Sequence, residues 1–157
     1  MISKANVEDG GQIFDITANT EMFNAEENQC VVDIWQQHLQ IGADASGYHF
    51  FVDKVDGRVQ GYICIGPRAL TDRVYDLYWI VVDSFVQRGG IGRRLIEQAE
   101  QVVRENSGRI LVIETSGTEK YIGTRQFYLA CGYIQEAILR DLYSDGDDLC
   151  IFTKRIT

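Results

Sequence analysis

The stretch Tyr75–Val103, YDLYWIVVDSFVQRGGIGRRLIEQAEQVV, constrains this chain more than any other. Tyr75–Val82 is rich in aromatic and β-branched residues and predicts a buried strand. Gln87-Arg88-Gly89-Gly90-Ile91-Gly92 follows, and its glycines let a ligand approach the backbone N–H groups closely. From Ile91 the apolar residues Leu95, Ala99, Val102 and Val103 recur at helical spacing, while Arg93, Arg94, Glu97, Glu100 and Arg104 fall largely outside that stripe. A strand feeding a glycine-rich turn that opens a helix aims several N–H groups and the positive end of the helix dipole at one point, which suits phosphate. Arg88, Arg93 and Arg94 add mobile positive charge nearby.

Two familiar phosphate motifs fit poorly. A P-loop needs Gly-Lys followed by Ser or Thr, but Gly92 is followed by Arg93-Arg94. A dinucleotide fingerprint needs a third glycine where Leu95 stands, although Gly90, Gly92 and an acidic Glu114 roughly twenty residues on give a partial match to a nucleotide-cofactor oxidoreductase.

The rest of the chain supplies the frame. Gln12–Thr17 predicts a short first strand. Asn19-Thr20 offers a helix start, with Met22, Phe23, Val31, Val32, Ile34, Trp35 and Leu39 lining an apolar face up to Ile41-Gly42; His38 reads as a surface residue near that helix end. Tyr48–Val52, Asp56-Gly57 and Val59–Ile65 predict a β-hairpin, closed by Gly66-Pro67. With Tyr75–Val82 this makes an antiparallel meander. Such a meander counts against the dinucleotide reading, whose fingerprint belongs at the first strand of a parallel unit. After the helix, Ser107-Gly108 is a stop and Arg109–Thr115 a nearly continuous apolar strand, hence a parallel crossover. A helix ending at Ala130 before Gly132 comes next, with Phe127 and Cys131 on one face and Tyr128 about 100° away. Tyr133–Leu139 and Leu149–Ile156 predict a terminal hairpin around Ser144-Asp145-Gly146-Asp147. The expected architecture is α/β: a mixed sheet of six to seven strands with helices on both faces, in a single domain over residues 1–157.

Composition narrows the partners. A net charge of -8 disfavours non-specific binding to nucleic acid or to an anionic membrane, and attracts a basic or amine-bearing substrate. The 4 cysteines stand apart and only 2 histidines are present, so no metal site is expected and Cys30, Cys64, Cys131 and Cys150 read as reduced core thiols. Neither a signal-peptide stretch nor a long apolar run occurs, so a cytoplasmic protein is expected.

The residues resemble the GNAT superfamily of N-acetyltransferases, whose pyrophosphate loop reads Gln/Arg-x-x-Gly-x-Gly/Ala after a strand. Gln87, Gly90 and Gly92 match that pattern, Ile80-Val81-Val82 precede it, and Thr124–Tyr133, TRQFYLACGY, looks like the family's tyrosine-bearing helix ending in Gly-Phe or Gly-Tyr. Together these cover roughly the second half of the chain. The resemblance implies acetyl-CoA as cosubstrate without a metal, and transfer of the acetyl group to a primary amine of a small molecule, peptide or protein. It implies that the backbone N–H groups across Gln87, Arg88, Gly89, Gly90, Ile91, Gly92 and Arg93 hold the diphosphate. The backbone of Ile80, Val81 and Val82 would then pair with the pantetheine arm.

Further roles follow from the same resemblance. Tyr128 falls where the family places a tyrosine near the thioester sulfur, able to protonate the leaving thiolate. Glu114 matches the glutamate of the branch that acetylates protein N-termini, and Asp76 the acidic position of the histone-acetylating branch; either, or ordered water, would take the amine's proton. Where many members have an Asn contacting the cofactor, this chain has Tyr121, and that contact is not carried over. Apart from the resemblance, Tyr143, Asp145, Asp147 and Asp148 could receive a cationic group, where the alternative is an ordinary solvated hairpin turn, and exposed strand edges or helices offer a route to a homodimer. The same loop would also serve a non-catalytic acyl-CoA-binding sensor or scaffold, the alternative to an enzyme.

Overall fold

A computed structural model describes residues 1–86 and 89–156; Gln87, Arg88 and Thr157 lie outside the described residues. Its strands are β1 (Ile2–Lys4), β2 (His49–Val55), β3 (Arg58–Pro67), β4 (Val74–Val82), β5 (Ile110–Ser116), β6 (Ile134–Ser144) and β7 (Asp147–Arg155). They form a 7-stranded sheet in the order β1-β2-β3-β4-β5-β7-β6, antiparallel at β2–β3 and parallel at β4–β5. The helices are α1 (Gly10–Asn19), α2 (Ala25–Ile41), α3 (Ala43–Ser46), α4 (Ile91–Glu105) and α5 (Ile122–Ala130). The mixed sheet expected from sequence is therefore present. No helix among the described residues is long and apolar enough to cross a membrane.

The chain divides into two compact units, Met1–Gly66 with Tyr78–Ala99 and Pro67–Leu77 with Glu100–Thr157. In the first unit the Asp56-Gly57 turn takes left-handed φ at both residues (50° and 76°), which suits the right-handed twist of the β2–β3 hairpin. Ile13 and Ile16 of α1 and Val31, Ile34 and Trp35 of α2 pack on Phe50, Val52, Tyr62 and Cys64, one face of that hairpin. The neighbouring Gly61 points to the other face, where α4 lies close: a Cβ there would sit 2.9 Å from Leu95 Cδ1 and 3.0 Å from both Ile91 Cγ2 and the Val81 carbonyl. Helices thus cover both faces of this part of the sheet.

In the second unit Leu111 and Ile113 of β5 are buried and alternate with Val112 and Glu114 on the opposite face. Phe152 of β7 stands in register with Ile113 and is fully buried, with the Tyr128 ring of α5 5.6 Å away. α5 ends in a Schellman motif: Gly132 has φ 88°, and the Tyr133 and Gly132 N–H groups donate to the Tyr128 and Leu129 carbonyls at 3.1 and 3.0 Å. Lys154 locks this corner, donating to Glu100 Oε1 (2.8 Å) and to the Cys131 carbonyl (3.0 Å), while the Tyr133 hydroxyl also donates to Glu100. β6 forms the sheet edge; all of it is exposed, and bulges and a left-handed Asp141 (φ 54°) break its pairing with β7. Such irregularity discourages another strand from adding to the edge.

Several expectations give way here. Gln12–Thr17 is helical, because Ile13, Ile16 and Thr17 fall at helical spacing and are all buried. α2 is capped by Asn24 rather than starting at Asn19-Thr20, since Asn24 and Glu27 form a reciprocal capping box. Glu100, outside the apolar stripe of α4, is nonetheless buried, Cys30 is exposed rather than in the core, and His38 is half-buried between Trp35 and Phe50, with Nδ1 2.8 Å from the Tyr48 carbonyl.

Gly61→Ala forces a methyl group between α4 and β3, and overpacking of this kind costs about 1–3 kcal/mol. A lower urea midpoint with an unchanged slope is the expected result.

Candidate active site

The glycine turn ends where α4 begins. Gly90 takes a left-handed φ of 70° that glycine adopts without strain, and Arg94 N–H donates to its carbonyl at 3.1 Å as the first turn of α4 closes. By helix geometry the N–H groups of that first turn have no acceptor within α4. Gly89, Gly90 and Arg93 are exposed, Gly92 is half-buried and the Ile91 side chain is core. Gln87 and Arg88, the first two residues of the predicted loop, lie outside the described residues.

Ahead of the loop, Ile80, Val81 and Val82 form the last third of β4, with Val81 buried against the α1 and α2 cluster. The pairing of β4 with β5 runs from Val74↔Ile110 to Leu77↔Ile113, and these three residues lie beyond that ladder. Arg94, expected to be mobile, is instead tied: Nε and Nη2 donate to Asp53 Oδ2 at 3.1 and 2.7 Å, and Nη1 donates to the Gly89 carbonyl at 2.7 Å.

Asp76 and Glu114 come together on one arginine. Arg68 Nη1 donates to Asp76 Oδ1 at 2.7 Å and to Glu114 Oε1 at 3.4 Å. The parallel register sets Asp76 beside Val112, so both carboxylates rise from the same face of β4 and β5. Their settings differ, the Asp76 side chain being 15% exposed and that of Glu114 41%. Burial raises the Asp76 carboxyl above the usual range; Arg68 opposes the rise and the Glu114 charge adds to it. Arg68 was not singled out from the sequence. It follows the strand stop Gly66-Pro67, but nothing in a linear reading pairs it with a residue two strands away.

Tyr128 is placed elsewhere. It packs on Phe152, which shares a face with Ile113, whereas Glu114 and Asp76 rise from the opposite face. Burial, reinforced by Cys131 and Tyr121, pushes the Tyr128 phenol well up, so it keeps its proton at neutral pH. The acidic turn is largely used internally: Asp147 accepts from the Ser116 hydroxyl and Asp148 from Asp141 N–H. Tyr143 is 50% exposed. Among the described residues no group of His, Cys, Asp and Glu could hold a metal ion.

Comparison with known proteins settles the lineage of this arrangement. Residues 14–133 match the acetyltransferase (GNAT) family model. The chain belongs to the GNAT acetyltransferase family. A solved structure from Desulfovibrio desulfuricans, described as an acetyltransferase of the GNAT family, superposes with a TM-score of 0.96 at 36% identity, over 100% of this chain and 99% of that one. An aminoglycoside 6'-N-acetyltransferase solved with coenzyme A shares the fold (TM-score 0.77, 18% identity, covering 100% and 97%). The tRNA uridine(34) acetyltransferase of Methanocaldococcus jannaschii is 32% identical over 74 residues, which are 47% of this chain and 12% of that much longer protein.

Because Arg68 holds the Asp76 pKa down against burial, Arg68→Met raises it further. NMR titration of the Asp76 carboxyl in the two proteins checks this: a midpoint above the ordinary Asp value in the parent and higher again in the variant is expected, and a fall on losing Arg68 would contradict the assigned cause.

Proposed function

We propose that this chain, acting as a single catalytic domain, moves the acetyl group of acetyl-CoA directly to a primary amine of a small molecule, peptide or protein. The amine nitrogen attacks the thioester carbonyl, the C–N bond forms, the C–S bond breaks, the nitrogen sheds a proton and the departing thiolate takes one. The observation that carries this reading is the convergence of Asp76 and Glu114 on Arg68 Nη1, at 2.7 and 3.4 Å, in a chain of this family. Two carboxylates around one guanidinium leave a net negative charge, which suits an ammonium group. Asp76 or Glu114 takes the amine's proton, directly or through ordered water, and the raised pKa of Asp76 brings it nearer the range useful for a base.

The other assigned parts have separate tasks. The first-turn amides of α4, with Gly89, Gly90, Ile91, Gly92 and Arg93, meet the diphosphate, and Gln87 and Arg88 complete the loop. The Ile80–Val82 backbone pairs with the pantetheine arm, which fits its position beyond the β4–β5 ladder. Tyr128 supplies the proton, or a strong hydrogen bond, to the leaving thiolate. Its burial keeps it protonated until that charge develops.

Thiol release from acetyl-CoA over a panel of amines tests the proposal; tight CoA binding without release for any acceptor would favour the sensor reading. Tyr128→Phe is expected to lower kcat by about 10² or more with the acetyl-CoA KM nearly unchanged. Of Glu114→Gln and Asp76→Asn, the substitution that removes the base abolishes the acidic limb of the pH–rate profile, and its partner only shifts that limb.

A further inference from the structure

Asp53 lies in the apolar strand His49–Val55 with its side chain 1% exposed, an expensive place for a charge unless it is paired. Its position is a product of the β2–β3 hairpin. Asp53 is in register with Gly61, and a bulge follows directly at Asp53/Lys54. The carboxylate therefore rises on the same face as Gly61, under the first turns of α4, where Ile91 and Leu95 press against the strand.

There it receives two hydrogen bonds from the Arg94 guanidinium, at 3.1 and 2.7 Å, and one from the Met1 amino group at 3.0 Å. Burial alone would raise the Asp53 carboxyl; these bonds outweigh it and hold the group below the usual range, so it is ionised at neutral pH. The remaining guanidinium nitrogen of Arg94 does not point into the carboxylate. Nη1 donates to the Gly89 carbonyl at 2.7 Å, and lies 3.7 Å from where a Gly90 Cβ would be. One planar side chain thus joins a buried anchor in the sheet to the backbone of the glycine turn.

We infer that Asp53 and Arg94 form a positioning pair that fixes the Gly89–Gly90 backbone and so pre-shapes the diphosphate site. The role follows from geometry. A Gly-Gly turn is conformationally free and would have to be ordered by the ligand, and an arginine fork held by a buried carboxylate removes that freedom beforehand. Arg94 acts through the loop carbonyl and not as a phosphate ligand. Three of its five N–H donors serve this link, two on Asp53 and one on the Gly89 carbonyl.

The inference rests on the acetyl-CoA reading of the loop, and two readouts keep the two separable. Hydrogen–deuterium exchange over residues 84–95 reports the order of the turn without any cofactor, and calorimetry with CoA reports the diphosphate site. Asp53→Asn, Arg94→Met and their combination are each expected to speed exchange in this segment and to weaken CoA binding about tenfold. The double substitution should lose no more than the larger single one, because both break the same link. In turnover the loss should fall on the acetyl-CoA KM, with kcat at saturation nearly unchanged.

Arg94→Lys keeps the charge but not the fork, and is expected to behave like Arg94→Met. It also decides the matter where Asp53→Asn fails to fold. CoA affinity unchanged or tightened in Asp53→Asn, additive losses in the double substitution, or full affinity in Arg94→Lys would overturn the inference in favour of a direct charge contact. If the parent protein bound no CoA, the cofactor reading would fall, while unaltered exchange in the variants would separately sink the positioning pair.

Discussion

The closeness with which α4 lies on β3 governs much of the first unit. Gly61 lets Leu95 and Ile91 approach the strand to within ordinary contact, with no side chain to hold the helix off. Everything at the start of α4 inherits that placement. The left-handed Gly90 launches the helix from a defined point, the first-turn amides fan out from there, and Arg94 reaches Asp53 only because its helix sits so low on the sheet. A hydrophobic contact thereby sets the geometry of a polar one, and the polar one returns to the backbone of the turn through Gly89.

The second unit works by a different logic, in which strand register distributes chemistry between two faces. Asp76 and Glu114 are far apart in sequence but rise from neighbouring parallel strands, and Arg68 spans them. Tyr128 stands on the other side, held by a helix whose end is secured by Gly132 and by Lys154 bound to buried Glu100. Acids withdrawn from solvent are costly unless hydrogen-bonded; Asp76 meets that condition through Arg68, and buried Glu100 through Lys154 as well as Arg104 four residues on.

How much of this could be read from residues alone depended on the range of the interactions involved. The hairpin at Asp56-Gly57, the β4–turn–α4 unit, the crossover to β5 and the α5 cap at Gly132 were all legible, because local conformational preference and hydrophobic period agree there. Gln12–Thr17 misled, since a short run with Ile13 and Ile16 satisfies a strand pattern about as well as one helical turn; only packing on Phe50 and Tyr62 decides it. Of the residues proposed for the site, Tyr128, Asp76 and Glu114 were singled out through their resemblance to a known pattern. Arg68 and Asp53 were not, and Arg94 was misread as mobile. Each owes its position to a partner on another strand or helix. The sole hint was an acid inside the apolar run FFVDKV, where an unpaired charge would not be tolerated.

The alternation along β5 carries one more consequence. If the strand slipped by a single residue, Glu114 would turn inward beneath α5 and Ile113 outward to solvent, so a carboxylate would enter an apolar layer without its guanidinium. Mis-threaded chains would therefore be disfavoured by the charge they sequester as well as by the packing they lose. The acid beside Arg68 acts in this way as a checksum on the fold, so the sequence that sets out the chemistry also helps to reject its own misfolded form.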